Sequence, residues 1–436
     1  MNEPEKKIFV TKRKKDKRTL TREDLKQLSQ EELVEKILQL EAHNLQLQSI
    51  IQKRNINSAK ECGKPKNFDF SKYKMLLVST RHIFLKFYYF GWDYQGFVTQ
   101  EDTNNTIEYF LFQALEKCCL IQSRETSNYH RCGRTDKGVS AFCQVISIDI
   151  RSKLSDPNEN NVNEEFPYCK MLNRILPDNI RCYAWAPVGQ NVSARFDCSQ
   201  RTYKYFFPKG DLNIKAMQEA AGYIIGTHDF RNFCKMDVGN GVVEFEREIK
   251  AVEIKESLSS QDQSGYQMFE FVITGRGFLW HQIRCFMSIL LLVGQGKESP
   301  DVVNKLLNVT ENPTKPQYSL ASHLPLNLYD VSYEPISINW KVDDENLIKI
   351  IELLQSQWSN DTIKSTMIKH VINDLEKLQM CSSVIEKQAE SLTEGVKSKI
   401  YKPLLTRMKC ETLENKINHY VKKRKLEIGE IESEQS

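Results

Sequence analysis

One carboxylate in this chain keeps unusual company. Asp136 lies within Cys132-Gly133-Arg134-Thr135-Asp136-Lys137-Gly138-Val139, between two glycines and beside two basic side chains. Glycines at 133 and 138 allow a turn tight enough to bring backbone close to a ligand and to carry the aspartate at its tip. A carboxylate so placed is a candidate nucleophile, because neighbouring cations favour its ionised form and also attract an anionic partner. A G-x-x-D-x-G turn can equally cap itself through the aspartate, so this spacing alone leaves both uses open. Two further clusters carry complementary groups. Ser193-Ala194-Arg195-Phe196-Asp197 leads into Arg201-Thr202-Tyr203-Lys204-Tyr205, where cations alternate with rings that can stack on a base or fill a core. Downstream, Gly277-Phe278-Leu279-Trp280-His281-Gln282-Ile283-Arg284 places Arg284 three residues after His281 in an apolar helical pattern, where an unpaired guanidinium is costly and a partner is expected.

These groups need a scaffold, and the hydrophobic patterning supplies one. Residues 83–90 read as a strand, Asn105-Thr106 opens a helix with Ile107, Phe110, Leu111, Ala114 and Leu115 on one face, and Val145, Ile146, Ile148 and Ile150 form the strand that anchors the Asp136 turn. A polar insertion at 155–165 precedes a helix over 171–176 and a strand over 181–186. The theme then repeats as strand 202–207, helix 214–225, strands 246–254 and 269–274 and helix 279–293, with 256–266 as a surface loop. Two similar sets of strands and helices indicate an α+β fold.

The rest of the chain divides around that region. Residues 1–66 comprise a basic arm and a heptad-patterned helix, 67–190 and 191–335 the two halves of the central region, and 336–436 a charged, helical C-terminal extension. The helix carries Leu33, Ile37, Leu40, Asn44, Leu47 and Ile51 at seam spacing, which suits packing on its own domain and an intermolecular coiled coil equally. Net charge is +4, yet residues 1–20 hold eight Lys or Arg against three acids, so the remainder is near neutral and any nucleic-acid surface must be a local patch. Candidates for that patch are Arg131, Arg134, Lys137, Arg195, Arg201, Lys204, Arg231, Arg276 and His281. Twelve cysteines at irregular spacing, without zinc-ligand patterns, read as reduced thiols, and neither a membrane span nor an export signal is present. The basic runs near the N-terminus and at 422–425 suit nuclear import or solvated ends alike; the expected location is nucleus and cytoplasm.

The Asp136 turn resembles the G-R-T-D-x-G-V-x-A signature of the TruA-type tRNA pseudouridine synthases. Two other motifs of that family are resembled in order: Arg201-Thr202-Tyr203 at its active-site tyrosine, and Phe278-Leu279 to Arg284 at its aspartate-binding arginine. With Gly91-Trp92-Asp93-Tyr94-Gln95-Gly96-Phe97 upstream, the likeness spans about residues 82–335 and is nearest the eukaryotic branch that modifies tRNA positions 38 and 39. The resemblance implies two ferredoxin-like halves with mixed and antiparallel sheets flanking a basic catalytic cleft. It also implies tRNA as partner, a homodimer, and isomerisation of uridine to pseudouridine with no cofactor and no metal. Catalysis would rest on Asp136, Tyr203 and Arg284, with Arg284 holding Asp136 ionised. Arg134, Lys137, Arg195, Tyr203 and Leu326 would contact substrate, Arg134 filling the space that the extruded nucleotide leaves. Residue identity leaves open whether Asp136 attacks C6 of the base or C1′ of the sugar. Asn327 stands where many bacterial relatives have glycine.

Overall fold

The computed structural model describes residues 79–154, 164–257, 266–378, 391–395 and 400–419, so the heptad helix and the 422–425 run lie outside the described residues. The elements run in chain order as β1 (Thr80–Tyr89), α1 (Ile107–Lys117), β2 (His130–Arg131), β3 (Ser140–Arg151), α2 (Tyr168–Asn173), β4 (Ile180–Pro187), β5 (Gln200–Pro208), α3 (Ile214–Gly222), β6 (Gly226–Asp229), β7 (Glu246–Glu256), β8 (Met268–Gly275), α4 (Gln282–Gly294), α5 (Val302–Leu307), β9 (Leu326–Ser332) and α6 (Asp344–Leu378).

The two strand sets expected from the sequence join edge to edge in a single nine-stranded sheet, ordered β4-β1-β3-β9-β5-β8-β7-β6 with β2 against β3. Its pairings are antiparallel except one: β3 and β9 run parallel, with Ser140 opposite Asn327 and Ala141 opposite Leu328. β9 continues antiparallel to β5, where Leu328 faces Tyr203 and Leu326 faces Tyr205. The late strand β9 therefore welds the halves at the point where the Asp136 turn enters β3.

Alternation along the strands puts one residue in two on each face of the sheet. Ile83, Leu85 and Phe87 of β1, with Ile146 and Ile148 of β3, share a core with Ile107, Leu111 and Leu115 of α1. The same core continues beneath the second half through Tyr203, Tyr205, Phe207 and Phe271 to Met217 of α3 and Phe286 of α4. On the other face Phe84, Cys143 and Val145 are covered by Tyr333, Ile336, Ile338 and Trp340, which follow β9. α1 begins as read, with the Thr106 side chain accepting from the Tyr109 amide. α4 starts three residues later than the pattern suggests, because His281 takes a left-handed conformation at φ 61° and breaks the helical run. α3 likewise stops early, at Gly222. α6 extends the C-terminal region as a 35-residue helix anchored near its start: Asn346 is buried and donates to the Cys182 carbonyl, and Ile350 is buried nearby. No described helix is long and apolar enough to cross a membrane.

Candidate active site

The turn bearing Asp136 is fixed from every side. Behind it lies the Gly91–Phe97 loop: Phe97 N–H donates to the Thr135 carbonyl (3.2 Å) and Gly138 N–H to the Tyr94 carbonyl (3.1 Å). That approach depends on Gly91, where a Cβ would sit 2.0 Å from the Val139 carbonyl oxygen. Gly138 takes φ 75°, and the His323 ring packs directly against it. At the base of the turn the buried Gln144 amide accepts from Gly133 N–H (3.3 Å) and donates to its carbonyl (3.1 Å), while the Tyr89 hydroxyl meets Thr135 Oγ1 at 2.7 Å. Arg201, expected on the basic surface, instead donates through Nε and Nη2 to the Cys132 carbonyl (3.2 and 2.8 Å) and so pins the turn.

Against this support the Asp136 carboxylate meets two side chains of one tight bend. Trp280 Nε1–H donates to Oδ1 at 3.2 Å, and His281 Nε2 lies 3.4 Å from Oδ2. The left-handed backbone at His281 is what turns these consecutive residues toward the same carboxylate, and strain of this kind in a bulky residue marks a site held by its surroundings. Burial lowers the His281 pKa. The Asp136 charge works against that shift, whereas Arg284, Lys235 and Lys315 add to it. Tyr203 is buried beside the turn: a Cβ on Gly133 would lie 3.9 Å from its hydroxyl and 3.8 Å from Leu328 Cδ2. Its ring meets Phe278 edge-on at 5.2 Å, and burial, with a contribution from Asp136, raises its pKa well above the ordinary phenol value. Leu328, opposite Tyr203, is thus the apolar side chain in contact range of Gly133, while Leu326 is buried opposite Tyr205. Asn327 needs no glycine-like backbone; its Oδ1 accepts from Phe142 N–H at 3.1 Å and ties β9 to β3.

The expected partner of Arg284 is corrected. Its guanidinium pairs with Glu394 at 2.7 Å and donates through Nε to the Ala321 carbonyl at 2.8 Å; it makes no ion pair with Asp136. One helical turn beyond His281, Arg284 points deeper into the fold, where its side chain is only 6% exposed and a buried cation requires a close anion. Glu394 comes from the C-terminal extension, and the same oxygen receives His323 Nδ1 at 2.8 Å.

With this geometry in view, the likeness to known proteins is specific. A family profile described as tRNA pseudouridine synthase matches residues 220–334. The chain is 42% identical to the tRNA pseudouridine(38/39) synthase of Bos taurus, over 93% of this chain and 90% of that one. It is 45% identical to that of Homo sapiens over 84% and 81%, and 39% identical to that of Saccharomyces cerevisiae over 74% of each. The chain belongs to the TruA-type tRNA pseudouridine synthases.

For a synthase of this family the cations around the site sort into two groups. Arg131 reaches the fully buried Glu108, Lys204 pairs with Glu270 at 3.0 Å and Arg231 with Asp229 at 2.6 Å, so their charges are locally balanced. Arg134, Lys137, Arg195 and Arg276 are exposed and have no carboxylate partner among the described residues. Burial lowers the Arg134 pKa; Arg131 and Arg195 add to that shift, and Glu108 and Asp237 work against it. Trp280 is a functional residue of this site that its motif does not single out; the available signal is an indole four residues before a candidate arginine. Glu394 left no such signal, since nothing in its surroundings in sequence distinguishes it from a solvated glutamate.

Proposed function

We propose that Asp136 is the nucleophile of this chain, which isomerises uridine to pseudouridine in the anticodon stem-loop of tRNA at positions 38 and 39. The chain is a tRNA pseudouridine synthase, an isomerase. The observation that carries the assignment to Asp136 is its placement: one carboxylate at a rigid turn, between Trp280 and His281 and beside Tyr203 and Leu328. The target uridine is extruded from its stack, at a cost of roughly a few kcal/mol, and its ring rests on Tyr203 while Arg134 takes the vacated space. Leu326 and Leu328 line the apolar side, and Lys137 and Arg195 face the phosphates. Asp136 bonds to C6 of the base or C1′ of the sugar as the bond from C1′ to N1 breaks; the freed base turns, C5 bonds to C1′ as the bond to Asp136 breaks and its carboxylate is restored, the C5 proton leaves with help from Tyr203, and N1 takes up a proton from solvent. Trp280 and His281 hold the ionised carboxylate in the resting site, and Arg284, fixed by Glu394, adds positive field behind His281.

The assignment to positions 38 and 39 is supported by the likeness to the tRNA pseudouridine(38/39) synthases of Bos taurus, Homo sapiens and Saccharomyces cerevisiae. The active form proposed is a homodimer acting in nucleus and cytoplasm, its two halves ferredoxin-like and its catalytic groups in the cleft between them. Tritium release from tRNA labelled at uracil C5 tests the chemistry. Wild-type protein should release tritium from positions 38 and 39, and Asp136→Ala should lose more than about 10³-fold in rate while still binding tRNA. Equal release by both proteins would remove Asp136 from the reaction.

A further inference from the structure

A cavity of about 230 Å3 opens beside His281, and no step of the reaction uses it. Lys235, Lys315 and Lys416 line it together with His281, Tyr318 and Met236, and no Asp or Glu is among its described lining residues. None of the three lysines has a carboxylate partner among the described residues. Lys315 Nζ is held by the Cys234 carbonyl at 3.0 Å and stands over the Tyr318 ring at 4.5 Å. Lys235 stands over the ring of Trp280 at 4.2 Å, and Trp280 is the donor to Asp136. Lys416 arrives from the C-terminal extension, in the helical stretch 413–419. Asp229, whose charge is felt at the neighbouring Cys234, is paired with Arg231. Three lysines thus line one cavity whose described lining holds no acid, Lys235 stands one side chain away from Asp136, and His281 Nδ1 is buried without a hydrogen-bond partner; Glu414, two residues before Lys416, acts on Arg231.

Convergent uncompensated cations destabilise a fold unless an anion joins them. The substrate class of this family brings one phosphate per nucleotide past the site. We infer that this cavity is a subsite for a backbone phosphate of the tRNA strand next to the extruded uridine, gripped by Lys235, Lys315 and Lys416, with the attached ribose against Tyr318 and Met236. The inference rests on the synthase reading and extends it to a contact outside the reacting nucleotide. A phosphate there would also offset the field of the lysines on His281, favour its imidazolium form and so strengthen its hold on the Asp136 carboxylate.

The full-length protein and an anticodon stem-loop RNA carrying tritiated uracil provide the test. Lys416→Ala and Lys315→Met should each weaken binding severalfold at low salt and reduce the slope of log K against log salt by about one. Replacing phosphates near the target uridine by methylphosphonate, one position at a time, should locate one position at which Lys416→Ala causes no further loss, because its partner charge is already gone. Wild-type affinity and slope in both variants overturn the subsite, as do additive losses at every phosphate position. Tight RNA binding by wild-type protein without tritium release would instead overturn the synthase reading, and the two failures are therefore distinguishable.

Discussion

At the scale of single residues, Tyr203 and His281 make separable contributions. Burial holds the Tyr203 phenol protonated at neutral pH, so the ring is always available for stacking, while the oxygen becomes a strong base only in the rare ionised form. Tyr203→Phe should therefore keep tRNA affinity and lose about 10²–10⁴-fold in single-turnover tritium release, the usual worth of a positioned acid or base. Tyr203→Ala should lose affinity as well, by about 1–3 kcal/mol for the missing stack. An unimpaired Tyr203→Phe protein would assign the C5 proton to another group. His281 carries a stability consequence whose sign is fixed. Its folded pKa lies below the ordinary 6.5, so on acidification the unfolded chain takes up the proton first. The stabilisation is complete above the unfolded value and is lost as pH falls through the folded one. Urea midpoints measured from about pH 7.5 down to about pH 5.5 should decline less in His281→Gln than in wild type. An identical decline in the two proteins would show that His281 does not titrate differently on folding.

At the scale of elements, the site depends on how the Asp136 turn is wedged between the Gly91–Phe97 loop and β9. Gly138 is a tightly constrained point of that arrangement: its φ of 75° disfavours any side chain, and a Cβ would lie 2.1 Å from His323 Cδ2. Gly138→Ala should cost about 1–3 kcal/mol of stability from backbone strain alone. Since His323 shares Glu394 with Arg284, displacing it should also lower the rate beyond what partial unfolding explains, which thermal melts and tritium release measured on one preparation can separate. Much of this framework was legible from the chain. Alternating or continuous apolar runs marked β1, β3, β4, β5, β7 and β8 within a few residues, because each buries at least one face. β9 was harder: Leu326 and Leu328 were visible as apolar positions, but pairing with β3 and β5 is a long-range event that local pattern does not encode. The early break before α4 was hidden too, since the left-handed His281 is imposed by the contacts around it. The ion pair of Arg284 was assigned to the wrong acid for a related reason. Need for a partner follows from burial and is readable, whereas the identity of the partner depends on a segment more than a hundred positions away.

At the scale of the whole molecule, the near-neutral body and the short supply of unpaired cations bear on how an entire tRNA is held. Several basic side chains close to the site are already balanced by Glu108, Glu270 or Asp229, leaving a small cationic footprint on one chain. The proposed second copy would enlarge it, and we propose that it would pack on α6. Beyond its anchored start, Ile363, Met367, Val371 and Leu375 recur every four residues on one side of the helix and each is about 60% or more exposed, with Trp358 and Ile368 also open to solvent. Four apolar residues in register along more than three turns are uncommon on an isolated surface and are characteristic of helices that meet a partner. The triple change Ile363→Glu, Met367→Glu and Val371→Glu places like charges four residues apart on that stripe and would repel an identical helix. Light scattering should then give the mass of one chain where wild type gives two. tRNA affinity should fall with the lost second surface, while the far-UV circular dichroism should stay that of the wild-type fold, because these exposed side chains touch little of it. A triple variant that remains dimeric would move the interface away from α6, and a wild-type protein with the mass of a single chain would require one copy to hold the tRNA with Arg134, Lys137, Arg195, Arg276 and the lysines near His281 alone.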